Sequence, residues 1–251
     1  MKKASITILS IFTIFIVWIL LDLIVDNSLL LPRPQDVLQA LGRIITDKDA
    51  IFAIFLSLIR LLISLIVAFI FGFGFGIISG LKSSFASYLN PIVTVLRTIP
   101  VISITVIVLI VLGFSLTPYL ITFLMLFPLI YQGVFGAIKN IDQELIDVYR
   151  LEDNHIFTQI THCYIPLIST GIRTSLLQSL GLGIKVLVMA EYLAQTKNSI
   201  GNYLYLAKTN IEFANVFAWT LILIIIALIF EMLINHYKNV KIKVKVSKNI
   251  N

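Results

Sequence analysis

The sequence predicts an all-α integral membrane protein with six transmembrane helices. Of its 251 residues 59% are hydrophobic and only 13% are charged, and mean hydropathy is +1.00. A water-soluble domain of this length usually carries about 25% charged residues, so here polar surface is too scarce to face water. Apolar stretches near the ~20 residues that cross a bilayer fall at 5–25, 55–80, 92–112, 117–138, 168–190 and 213–235. Lysine and arginine are distributed unevenly between the links.

The first stretch follows Met1-Lys2-Lys3 like a signal peptide, but Asp22-Leu23-Ile24-Val25-Asp26-Asn27 has no small-x-small cleavage pattern. The expectation is an uncleaved first span in a segment 1–28. Residues 29–50 then form an extracytoplasmic link, broken at Leu31-Pro32-Arg33-Pro34. Within it Val37, Leu38, Leu41, Ile44 and Ile45 recur at helical spacing. They describe a short amphipathic helix lying on the outer membrane face or packed against another subunit.

Five further spans make up a core at 51–237, and a basic tail at 238–251 follows. With a cytoplasmic N-terminus, the inner segments hold Lys2, Lys3, Lys82, Arg97, Lys139, Arg150, Arg173 and the tail lysines. The outer segments hold Arg33, Arg43, Lys48, Lys197 and Lys208, with Arg60 near an outer helix end. The inner excess predicts a multi-pass protein of the cell membrane with both termini cytoplasmic. The tail lysines also suit anionic lipid.

The longest inner link, 139–167, mixes Asp142, Glu144, Asp147, Arg150, Glu152, Asp153, His155 and His162 with Ile and Leu. Its pattern predicts a helix, a break at Asp153-Asn154, a second helix and a stop at Pro166. Asp and Asn tolerate the left-handed conformation such a break needs. The expected form is a helical hairpin between spans four and five, projecting toward a cytoplasmic partner.

At this link the chain resembles the binding-protein-dependent permeases of ATP-binding-cassette importers. Their motif reads Glu-Ala-Ala, three residues, Gly, nine residues, Ile-x-Leu-Pro. Aligned on Pro166, the glutamate falls on Asp147, the alanines on Val148 and Tyr149, the glycine on Asp153 and the close on Cys163-Tyr164-Ile165-Pro166. The acid and the proline are kept, while both alanines and the glycine are replaced.

The resemblance spans about 29–237 and is closest to the nitrate/sulfonate/taurine branch, which includes importers of thiamin precursors. Leu31-Pro32-Arg33-Pro34, Ser57-Leu58-Ile59-Arg60, Arg97-Thr98-Ile99-Pro100, Ala190-Glu191 and Ser199-Ile200-Gly201 carry it, in order. It implies a permease subunit that forms the translocation pathway for a small polar or anionic solute. It implies that separate ATPase subunits, which bind ATP and Mg, couple at Asp147, Arg150, Glu152, Asp153, Asn154 and Pro166. It also implies an extracytoplasmic solute-binding protein and a second permease copy, with no cofactor and no enzymatic activity in this chain. The alternative is a self-contained secondary transporter or channel, which would tend to carry intramembrane acids for ion coupling.

Candidate pathway residues are Pro100, Ser103, Lys185 and Glu191. A proline in or at the end of a span frees a carbonyl and often marks a kink; Pro128 is another. Lys185, beside Gly181 and Gly183, is too costly to leave unpaired in hydrocarbon. It either snorkels or pairs with Glu191, or else it lines the pathway.

Other chemistries find no support. His155, His162 and Cys163 match no zinc spacing, and a single cysteine permits no intrachain disulfide. Gly72, Gly74, Gly76 and Gly80 lack the Lys-Ser/Thr of a phosphate loop and read as helix-packing positions. The +6 formal charge lies in links and tail rather than in an aromatic-rich polar domain, which argues against nucleic acid.

Overall fold

A computed structural model describes residues 2–25, 27, 31–142, 144–147 and 155–248. Helix α1 (Lys2–Val25) is apolar on every face apart from Lys2 and Lys3 at its start, Asp22 and a few hydroxyl residues. Helix α2 (Pro34–Thr46) starts on its own proline, which needs no hydrogen-bond partner in a first turn. Its buried face, Val37, Ala40 and Ile44, packs with Ala218, Trp219 and Ile222. The amphipathic helix of the link therefore seats on its own chain.

Helix α3 (Lys48–Leu81) begins where the Asp47 side chain accepts from Asp49 N–H. Helix α4 (Ser83–Thr98) is followed by extended Ile99 and by Pro100, which caps α5 (Val101–Lys139). The residue before a proline is pushed out of the helical region. The expected continuous third span at 92–112 is thus cut between Thr98 and Val101. The expected spans 92–112 and 117–138 are also not separated by a loop: within α5 only Gly113 leaves helical geometry, with φ 76° and ψ −177°.

After a four-residue helical segment at 144–147, the chain is helical again from Ile156. Residues Gln159–Tyr164 form a π-helix that runs straight into α6 (Ile165–Ala194). The expected stop at Pro166 does not occur. Ile165 N–H bonds back to the Ile160 carbonyl, and this wider turn lets the proline that follows sit in a continuous rod. Helices α7 (Ile200–Thr209) and α8 (Phe213–Lys248) complete the chain.

Among the described residues four helices are long and apolar enough to cross a membrane: Lys48–Leu81, Val101–Lys139, Gln159–Ala194 and Phe213–Met232. Phe15–Val25 is a shorter apolar helix. Large apolar side chains such as Ile110, Val111 and Phe114 stand exposed, a surface suited to lipid or protein rather than water.

Small residues set the packing. A Cβ on Gly72, Gly76 or Gly80 would lie within 3 Å of Ile130, Val134 or Ile138. That matched spacing makes α3 and the second half of α5 run parallel in close contact. Gly133 faces Ser175 and Gly171 faces Ala137, so α6 runs antiparallel to them. Gly74 meets nothing and is no packing position. Leu126, Ile130, Tyr131 and Val134 are fully buried between these helices. The Tyr131 hydroxyl bridges Ser79 Oγ at 2.9 Å and Asn90 Oδ1 at 2.8 Å, tying α3, α4 and α5 together at one end.

Candidate functional site

At the opposite end, three separate segments meet in one polar knot. Ser57 and Arg60 are three residues apart on α3, so they share a face. Glu191 lies in the last turn of α6, which ends on left-handed Gln195. Ser199 then caps α7, its hydroxyl accepting from Asn202 N–H at 3.0 Å.

The carboxylate of Glu191 is fully buried and surrounded by donors. Ser57 Oγ lies 2.9 Å from both of its oxygens, Arg60 Nη1 donates to Oε1 at 3.0 Å, and Gly201 N–H donates to Oε2 at 3.3 Å. Ile200 N–H donates to Ser57 Oγ at 3.1 Å. The acid thus sits at the N-terminus of α7, where free amides and the helix dipole favour negative charge. Arg60 also donates from Nη1 to the Asn198 carbonyl and from Nη2 to that of Lys197. A buried charge is tolerable only when paired and hydrogen-bonded, and here both partners are.

Glycine is required at 201. A Cβ there would fall 2.4 Å from Tyr192 N and 2.6 Å from the Val188 carbonyl. No side chain fits that approach of α7 to α6.

A cavity of about 640 Å³ adjoins the knot, lined by Arg60, Phe114, Ser115, Tyr119, Thr196 and Lys197 among others. Thr196 Oγ1 donates to the Phe114 carbonyl at 2.9 Å, linking the loop after α6 to the corner after Gly113. Nearby, Tyr203 rests on Trp219 with ring centres 5.0 Å apart. Burial, then the charges of Asp47 and Asp49, push its phenol above the ordinary value.

The expected residues are dispersed. Glu191 joins the knot, and its ion-pair partner is Arg60, not Lys185. Lys185 lines a different cavity, of about 420 Å³, with Gln178, Gly181, Phe230 and Glu231. Gly181 is open there, while Gly183 packs against Leu61 and Leu126. Pro100 and Ser103 are exposed around the start of α5, and Pro166 is exposed near the start of α6. Asp147 ends the 144–147 segment; Arg150, Glu152, Asp153 and Asn154 lie outside the described residues.

Ser57, Arg60 and Gly201 were legible only as pieces of sequence signatures. The available signal was charge: a span that carries one arginine and another that carries one glutamate must find partners.

Long apolar helices, close small-residue packing and buried charge held inside protein define a multi-pass membrane protein. The chain belongs to the family of binding-protein-dependent transport system inner membrane components, whose model matches residues 72–238. Ser57 and Arg60 lie upstream of that match, and Glu191 and Gly201 lie within it. No curated protein matches the chain.

Proposed function

We propose that this chain is the transmembrane permease subunit of an ATP-driven importer. The family match over residues 72–238 carries the reading. Six spans follow if α1 crosses and α5 is divided at Gly113, its first arm crossing together with the end of α4 as the 92–112 stretch. Both termini face the cytoplasm, as the excess of lysine and arginine on that side favours. The knot then lies at the outer end, and the 139–164 segment lies inside.

Two cytoplasmic ATPases, which bind ATP and Mg, dock on the inner segment around Asp147–Asn154, and their closure shifts the permease between inward- and outward-open states. An extracytoplasmic binding protein delivers the solute, and a second copy of this chain completes the pathway. The solute is small and polar or anionic, of the nitrate, sulfonate, taurine or thiamin-precursor kind. The supports are the resemblance and Lys185, whose charge must avoid lipid.

Charge reversal tests the coupling. Asp147→Lys or Arg150→Glu should abolish transport-coupled ATP hydrolysis while leaving the chain in the membrane. Crosslinking from Asn154→Cys to the ATPase should succeed in the intact complex; no crosslink in any nucleotide state would place docking elsewhere.

A further inference from the structure

We propose that the cavity between the Gly113 corner and the 195–197 loop is a binding subsite for a small oxyanion. It has a volume of about 640 Å³, within the range of small-molecule sites. Its lining residues include donor-bearing Arg60, Lys197, Gln195, Ser115 and Tyr119 beside apolar Phe114 and Leu116. Among the described residues no carboxylate lines it. Such a wall suits a solute rich in acceptors and negatively charged.

Lys197 supplies the net positive charge. Arg60, whose own charge Glu191 balances, supplies a fixed donor. It is 9% exposed, so its position is set by protein rather than by solvent. Nη1 is spent on Glu191 and Asn198, and Nη2 reaches the Lys197 carbonyl at 3.3 Å. Among the described residues, nothing takes the Nε–H. Glu191 is fully buried and is not part of the cavity wall. The carbonyls of Lys197 and Asn198, which would repel an anion, already accept from Arg60.

The backbone on both sides of the cavity leaves helical geometry, Gln195 as the left-handed cap that ends α6. Gln195 and Asn198 are non-glycine residues at φ 48° and 52°, and Gly113 stands at φ 76° on the other side. The Thr196–Phe114 hydrogen bond joins the two sides. An anion in the cavity would therefore touch both the fixed knot and the corner of the broken helix α5.

The subsite rests on the importer reading only for its orientation toward the outside, and the test separates the two. In cells carrying the full transporter, Ser115→Cys is exposed to an anionic reagent, sulfonatoethyl methanethiosulfonate, or a cationic one, trimethylammonioethyl methanethiosulfonate. The parent chain, whose Cys163 is buried, is the control. Normalised to free cysteine, the anionic reagent should react about tenfold faster or more, as expected for a site that concentrates one sign of charge. Lys197→Gln should reduce that preference several-fold, and millimolar methanesulfonate, unlike choline, should slow the reaction. A ratio equal to that of free cysteine, or no protection by methanesulfonate, overturns the subsite. Reaction of both reagents only after permeabilisation overturns the orientation instead, and the same ratio, read there, still decides the subsite.

Discussion

Arg60 on α3 and Glu191 on α6 lie 3.0 Å apart, Nη1 to Oε1, although 131 residues of chain separate them. Their pairing joins two antiparallel helices and fixes the start of α7. Breaking a buried pair leaves one charge without a partner and costs about 3–5 kcal/mol, whereas replacing both by apolar residues is often close to neutral. Glu191→Leu or Arg60→Met alone should therefore lower the unfolding temperature in detergent sharply. The double variant should recover much of the loss. Equal loss in the double and the single variants would show that hydrogen bonding to Ser57 and Gly201, not the pair, holds the knot.

The α3–α5 contact makes a contrast between two nearby glycines. Gly76→Ala places a Cβ 2.7 Å from Val134 Cβ, while Gly74→Ala meets nothing within 4 Å. The first should cost about 1–3 kcal/mol by overpacking. The second should be neutral or gain up to about 1 kcal/mol from helix propensity. Adding Val134→Ala should not restore the loss, because alanine keeps the Cβ that the new methyl meets; thermal unfolding of the purified protein reads both.

Gly113 holds φ 76° and ψ −177° inside α5, a region essentially closed to other residues, at a cost of about 1–3 kcal/mol. Gly113→Ala should straighten or destabilise the corner. Transport should fall further than membrane abundance does, because the strain acts on the broken helix and not on the α3–α5–α6 core. Parallel measurement of uptake and of chain abundance checks this.

Lys185 lines its own cavity with Gln178 and Glu231. If that groove faces the pathway, Lys185→Leu should reduce uptake at least several-fold while Lys185→Arg keeps most of it, with unchanged abundance. Unchanged uptake in Lys185→Leu would assign the lysine to a lipid-interface or purely structural role.

The helical class and the apolar stretches follow from composition, because a chain with 13% charged residues cannot cover itself for water, and runs of some 20 apolar residues have few alternatives. The glycines at 72, 76 and 80 also announced close helix contact by their spacing. Hydropathy did not announce the break at Thr98–Pro100 or the continuous rod through Pro166. It averages over windows, while a break depends on one residue's backbone and on whether a π-turn can accommodate it. The partner of Glu191 needed tertiary structure for a different reason. Lys185 is near it in sequence, but six residues along a helix carry a side chain more than a turn and a half away. Arg60 reaches Glu191 because α3 runs antiparallel to α6, and only that packing puts Ser57, Arg60, Glu191 and Gly201 around one carboxylate.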